Sequence, residues 1–184
     1  LKDLGINPTS YVKADEITAE AGKNIIVISL ESLERGFLEP PMDGLTPKLQ
    51  EISNRYSIFE MLENNGSNWT AASIYTSLTG IPSFFKSSRN ESFQKFKGTK
   101  VGNLGQVLKV AGYDMTYFLA KKNFSGLNTM LTTFGFDVIS GEDMDIPKPD
   151  TYWGLHDKEL FEEATKTILE KSKNDKPFAV FLNT

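Results

Sequence analysis

From Asn24 to Glu31 the apolar positions run together: Ile25-Ile26-Val27-Ile28-Ser29-Leu30 is a continuous stretch of strand length, rich in Ile and Val. That pattern predicts a parallel strand covered on both faces rather than a half-exposed one. Downstream the pattern changes period repeatedly. Thr46-Pro47 supplies an N-cap and a proline at the first helical position, and Leu49, Ile52 and Tyr56 then fall on one helix face. Ile58 to Leu62 is a short apolar piece that predicts a second strand, followed by an Asn64-Asn65-Gly66 turn. From Thr70 to Leu78 the residues are small or apolar, which predicts a helix packed on the sheet and stopped by Gly80 and Pro82. Residues 83–100 read as a polar, aromatic loop.

The second part of the chain alternates more regularly. Val101 to Ala111 is an amphipathic helix with Leu104, Val107, Leu108 and Ala111 inward, ended by Gly112. Tyr113 to Leu119 reads as a strand, Leu127 to Phe134 as a helix ended by Gly135, and Phe136 to Ile139 as a short strand. After an acidic loop at 141–150, a helix over 157–173 buries Leu160, Phe161, Ala164, Ile168 and Leu169. Its acids Asp157 and Glu159 lie in the first turn and Lys171 and Lys173 in the last, matching the helix dipole. Pro177 to Asn183 closes as an apolar strand. Strand and helix in alternation predict a three-layer α/β/α domain with a largely parallel sheet over residues 24–184, with 1–23 as a lead-in segment.

Composition narrows the function classes. At 184 residues, 39% hydrophobic and 24% charged, the chain is ordinary globular material. A net charge of −4 argues against non-specific nucleic-acid binding, which needs clustered cations; the small group Lys95, Lys97 and Lys100 reads as a solvated loop. The absence of cysteine removes disulfides, thiolate nucleophiles and Cys-type zinc sites. No run approaches the roughly 18 apolar residues that a membrane span needs, so the chain as given reads as soluble. Leu1 is not a start methionine and the last apolar run reads as a strand cut at its end, so a piece of a longer protein is expected.

Candidate chemistry gathers where strands end. In open α/β sheets ligands bind outside the carboxyl ends of the strands, which is where Glu31 stands. A carboxylate there can hold a hard divalent cation, or simply end the strand and face water. Thr70 opens a helix after the Gly66-Ser67-Asn68-Trp69 turn; it is either a nucleophile beside an anion-favouring helix N-terminus or a plain N-cap. Trp69 and Trp153 are core aromatics or walls of a sugar or glycerol pocket. His156, the only histidine, can ligate metal, touch substrate or cap the last helix. Glu142, Asp143 and Asp145 show no metal-loop spacing and read as a solvated loop.

The ordered set Asn24-Ile-Ile-Val-Ile-Ser-Leu-Glu31-Ser-Leu-Glu-Arg35, Gly44-Leu-Thr-Pro-Lys-Leu49, Gly66-Ser-Asn-Trp-Thr70-Ala-Ala and Thr79-Gly-Ile-Pro82 resembles the phosphoglycerol transferases of the sulfatase and alkaline phosphatase superfamily, akin to lipoteichoic acid synthase. Phe134-Gly135-Phe136-Asp137 and Trp153-Gly-Leu-His-Asp157-Lys-Glu-Leu-Phe161 extend the likeness. The resemblance implies an alkaline-phosphatase-like fold, truncated at its C-terminus, in which Glu31 is a metal ligand and Thr70 is nucleophile and metal ligand together. It implies Mn²⁺ or Mg²⁺, with Zn²⁺ as a further option, and transfer of phosphoglycerol from a phosphatidylglycerol-type lipid to a glucan or glycerol-phosphate acceptor. The setting implied is a membrane-anchored enzyme on the extracytoplasmic face of a bacterial membrane.

The departures are specific. The family's Asp-His-Gly motif, which carries its remaining ligands, lies beyond the position of Thr184, and a substrate-contacting His after the last strand has no counterpart. Nor does Ser125-Gly126-Leu127 supply the aromatic and Arg of lipoteichoic acid synthases, so this piece alone is expected to be inactive. The rival readings are a sulfatase or phosphoethanolamine transferase of the same superfamily, and a non-catalytic ligand-binding domain that kept the fold. Thr70-Ala71-Ala72 lacks the Cys/Ser-x-Pro-x-Arg signature of a sulfatase.

Overall fold

A computed structural model describes residues 16–63, 66–83, 92–147 and 154–184. Its described residues form a four-stranded, wholly parallel sheet in the order β1-β4-β2-β3, with β1 at Ile25–Ser29, β2 at Asp114–Leu119, β3 at Asp137–Ser140 and β4 at Phe178–Asn183. The helices are α1 (Pro47–Arg55), α2 (Thr70–Thr79), α3 (Leu104–Val110), α4 (Leu127–Thr133) and α5 (Asp157–Lys171). Short 3-10 turns occupy Arg35–Leu38, Asp43–Leu45 and Gly141–Asp143.

The central strands divide the core because successive side chains on a strand point to opposite faces. On β4, Ala179 and Phe181 join Met115, Tyr117 and Leu119 of β2 in a cluster with α2, α3 and α4. Phe178, Val180 and Leu182 join Phe118 in a second cluster under Leu160 and Ala164 of α5. Three layers result, as the alternation predicted. The first cluster is dense in aromatic side chains: Tyr117 stacks on Phe181 at 5.7 Å and Phe136 meets Phe181 edge-on at 5.1 Å. Full burial of such a side chain stabilises by roughly 1.5–3 kcal/mol. Burial also pushes the Tyr117 phenol well above its ordinary range.

Helix starts and stops follow local chemistry. Asn103 caps α3 by accepting a hydrogen bond from the Gln106 N–H at 3.0 Å, and α2 ends at Gly80 in the left-handed conformation. Pro47 stands at the first position of α1 as expected, but the Thr46 hydroxyl donates to the Phe37 carbonyl at 2.6 Å rather than capping the helix.

Four further expectations are overturned. β1 is an edge strand that pairs with β4 alone among the described residues, and Ile26 and Ile28 remain 50% and 49% exposed, so the run that reads as doubly covered is bare. The stretch Ile58 to Leu62 is not a strand; Phe59 and Leu62 are 81% and 97% exposed, because no described segment pairs with them. Leu104, in the first turn of α3, is exposed, and the helix buries Gly105 and Leu108 instead. Leu169 is exposed because at about 100° per residue it lies half a turn round α5 from Leu160. No helix among the described residues is long and apolar enough to cross a membrane.

Candidate functional site at the carboxyl ends of the strands

β1, β4 and β2 are parallel and end at the same edge, in the register Ser29 beside Asn183 beside Leu119. The residues that follow each strand end therefore meet. Glu31 follows β1, Asn183 and Thr184 finish β4, and Ala120 and Lys121 follow β2. Backbone ties hold the first two together: the Thr184 N–H donates to the Ser29 carbonyl at 3.1 Å, and the Glu31 N–H donates to the Thr184 hydroxyl at 3.0 Å. Ser32 then turns the chain away with φ at 60°, a left-handed conformation that is rare outside glycine and concentrates at functional sites.

Thr70 comes to this edge from a different element. It is the first residue of α2 and Trp69 is the N-cap, so the plain N-cap reading of Thr70 does not describe the structure. Its hydroxyl instead donates to Glu31 Oε1. The second carboxylate oxygen, Oε2, accepts from Asn183 Nδ2 at 3.3 Å. Glu31, an exposed strand-end acid by position, is thus held through both oxygens.

The turn that delivers Thr70 depends on Gly66, where φ is +80° and a Cβ would stand 2.1 Å from the Ser83 carbonyl oxygen. Ser67, buried beside it, donates to the Thr76 hydroxyl at 3.1 Å and locks the turn onto the helix it precedes.

Two clefts meet at the Glu31–Thr70 pair. The larger, about 370 Å³, has mostly apolar walls: Leu119, Ala120, Phe124, Leu127 and Leu155, with Lys121 and Asp157 at its rim. Leu155 reaches it because Gly154 lies against the β2–α4 loop, where a Cβ would stand 2.2 Å from the Ala120 carbonyl, and the Leu155 N–H donates to that carbonyl at 3.2 Å. The smaller cleft, about 330 Å³, is polar, with Ser29, Ser32, Glu63, Ser67, Asn68, Trp69 and Ser73 along it. The rim loops are tied by Lys122, whose Nζ donates to Asp143 at 2.6 Å and whose N–H donates to Glu142 at 3.0 Å. The Lys122 hydrogen bond, helped by that of Ser140, holds Asp143 below the usual carboxylate range.

Of the residues singled out in the sequence, Glu31 and Thr70 are brought into contact. Trp69 lines the polar cleft while packing on the core through Phe93 at 6.1 Å. His156 takes the N-cap position of α5 with its side chain exposed and making no cap, between Leu155 and Asp157 of the apolar cleft. Trp153 lies outside the described residues. Among the described residues, no three His, Asp or Glu side chains come together as a metal-binding group. The oxygens of Glu31 and Thr70, side by side at the strand ends, nonetheless suit a hard divalent cation as two of its ligands.

Sequence reasoning passed over Asn183, Thr184 and Lys121. The strand-end rule that marked Glu31 marks them too once it is applied to β4 and β2.

A family model described as Sulfatase matches residues 23–184. Phosphoglycerol transferase I of Xanthomonas axonopodis pv. citri (strain 306) is 31% identical over 166 residues, which is 85% of this chain and 24% of that protein. Phosphoglycerol transferase I of Escherichia coli O127:H6 (strain E2348/69 / EPEC) is 31% identical over 172 residues, 88% of this chain and 22% of that protein. The chain therefore spans about a quarter of the length of these relatives. In fold it matches the crystal structure of the lipoteichoic acid synthase LtaP from Listeria monocytogenes with a TM-score of 0.70 at 18% identity, covering 90% of this chain and 41% of that one.

Proposed function

The chain belongs to the sulfatase family, and from that membership we propose that it carries the nucleophile side of a phosphoglycerol-transfer site, with Thr70 as the attacking group. The observation that carries this reading is the hydrogen bond from the Thr70 hydroxyl to Glu31 Oε1, made between residues 39 apart in sequence at the carboxyl edge of the sheet. Relatives named phosphoglycerol transferase, similar over more than four-fifths of the chain, support the reaction class.

In the proposed reaction, the Thr70 oxygen attacks the phosphorus of a phosphatidylglycerol-type lipid. A Thr70 Oγ–P bond forms as the hydroxyl gives up its proton, the P–O bond to diacylglycerol breaks, and that proton ends, through water, on the departing oxygen. An acceptor hydroxyl, on a glucan or a glycerol-phosphate chain, then forms its own bond to phosphorus as the Thr70 Oγ–P bond breaks and Thr70 regains its proton. Glu31 and Thr70 would hold a divalent cation, Mn²⁺ or Mg²⁺. When bound there, its chemistry is to lower the pKa of the hydroxyl and offset charge on the phosphoryl oxygens.

The chain's own residues do the rest. Glu31 Oε1 fixes the hydroxyl proton, which aims the oxygen lone pairs away from the carboxylate. The N-terminus of α2 presents backbone N–H groups and a positive dipole end to an anion. The apolar walls of Leu119, Phe124, Leu127 and Leu155 suit the apolar part of a lipid donor next to its glycerol backbone. A phosphatidylglycerol-type donor would bring the site to a membrane surface, and the extracytoplasmic face of a bacterial membrane is the setting proposed for the whole protein.

The test is diacylglycerol release from phosphatidylglycerol vesicles with Mn²⁺ present, by the product of the complete gene and its Thr70→Ala variant. Activity is expected to fall by at least about a thousandfold, the scale for removal of a nucleophile. Equal activity in the two proteins would exclude Thr70 as nucleophile.

A further inference from the structure

Asn183 is the last residue of β4 and lies between Ser29 of β1 and Leu119 of β2. By the period of two along β4 it follows Ala179 and Phe181 on the face that packs against α2, α3 and α4. An apolar residue is the ordinary occupant of such a position. An amide stands there instead, only 7% exposed, and a buried amide is costly unless its hydrogen bonds are made. The bonds it makes are specific. Nδ2 donates to Glu31 Oε2 at 3.3 Å and to the Thr184 carbonyl at 3.0 Å. Both partners are oxygens that only accept, so the carboxamide must present its nitrogen to them. Asn183 also lines both clefts that meet at Glu31.

We infer that Asn183 is a positioning residue: its amide holds the Glu31 carboxylate in the orientation that places Oε1 on the Thr70 hydroxyl. Glu31 follows the bare edge strand of the sheet and is exposed. Asn183 sits on a central strand that is buried along its length. The hydrogen bond therefore transfers the rigidity of the packed half of the domain to a carboxylate that its own strand does not immobilise. The consequence for catalysis rests on the proposed roles of Glu31 and Thr70; the geometric claim does not. Partners that orient a ligating carboxylate are commonly worth about 10–100-fold in metal affinity.

Two variants and two readouts test it. Asn183→Leu keeps the approximate shape and removes the donor. Asn183→Asp is isosteric and replaces the donor with an acceptor that repels Glu31. In the chain itself, the side-chain carboxyl carbon of Glu31 and the γ-methyl of Thr70 are followed by NMR. Both resonances are expected to move in both variants, and unchanged resonances would overturn the inference. Mn²⁺ affinity is then measured by calorimetry, where Asn183→Leu is expected to weaken binding roughly tenfold, with circular dichroism confirming the fold. Wild-type affinity in that variant would also overturn it. If the resonances move but the unaltered chain takes up no Mn²⁺, the positioning role stands and it is the cation-binding reading of Glu31 that fails.

Discussion

The two sides of the sheet differ although their sequences look alike. β4 and β1 are both near-continuous apolar runs, yet all six residues of β4 are buried, whereas four of the five residues of β1 are exposed. β4 has β1 and β2 beside it, the α2–α4 layer on one face and α5 on the other. β1 has β4 on one edge, and α1 contributes no buried residue. A doubly apolar strand records the cover it is built to receive, and the sequence pattern cannot say which element supplies that cover. The candidate site straddles this divide: Glu31 hangs from the bare strand, while Thr70, Asn183 and the apolar cleft belong to the packed side.

Truncating the core on each side should expose the contrast most strongly. Leu131→Ala, at a fully buried position, is expected to cost roughly 2–5 kcal/mol through lost burial and the cavity left behind. Ile28→Ala, at a half-exposed position on β1, should cost about 1 kcal/mol or less. Urea denaturation of the two variants measures both. Equal losses would mean that β1 is covered in solution and that the contrast is wrong.

Gly66→Ala should have the next largest effect, because it strikes the turn that joins Thr70 to the packed side. The new Cβ meets backbone and the residue is at positive φ, so a loss of about 1–3 kcal/mol is expected. The Thr70–Glu31 contact should be disturbed with it. Wild-type stability together with unchanged Thr70 resonances would show that the turn can relax without moving the hydroxyl.

Much of this was legible in the sequence, for reasons that differ by element. The α2, α4, α5 and β4 segments were readable because period, glycine stops and charge placement agree with one another, as in α5 with Asp157 at its start and Lys171 at its end. Ile58 to Leu62 misleads because a short apolar run states a preference for burial and not a partner. Glu31 and Thr70 were each ambiguous alone; their contact is a tertiary fact, made by the β1–β4 register and the Gly66 turn. Asn183 was invisible to pattern reasoning, since one amide at the end of an apolar strand looks like the end of the strand.

Hydrogen exchange tests the divide without mutation. Amides of β4 and β2 should exchange only through near-global opening, and those of β1 through cheaper local opening, since few buried contacts hold that edge. The expected sign is faster exchange at Ile26 to Ile28 than at Val180 to Leu182. Equal protection would show that the edge opens only with the core, leaving Asn183 little to add to the hold on Glu31.

The smallest expected effect concerns the rim of the packed side, where Lys122 and Asp143 tie the β2–α4 loop to the β3–α5 loop at 2.6 Å. Asp143 is held below its ordinary value of 3.8, chiefly by the Lys122 hydrogen bond. A carboxylate depressed in the folded state binds fewer protons there than in the unfolded chain. Its stabilisation is therefore present above the unfolded value and lost as pH falls from near 4 toward the folded one. Because both side chains are about one-third exposed, solvent screening keeps the contribution below about 1 kcal/mol. Asp143→Asn should flatten this part of the acid limb of a stability–pH curve, whereas Asp145→Asn, at an exposed position on the same loop, should not. If Asp143→Asn leaves the acid limb unchanged, the loops that frame the apolar cleft are held by packing at Gly154 and Leu155 and not by charge.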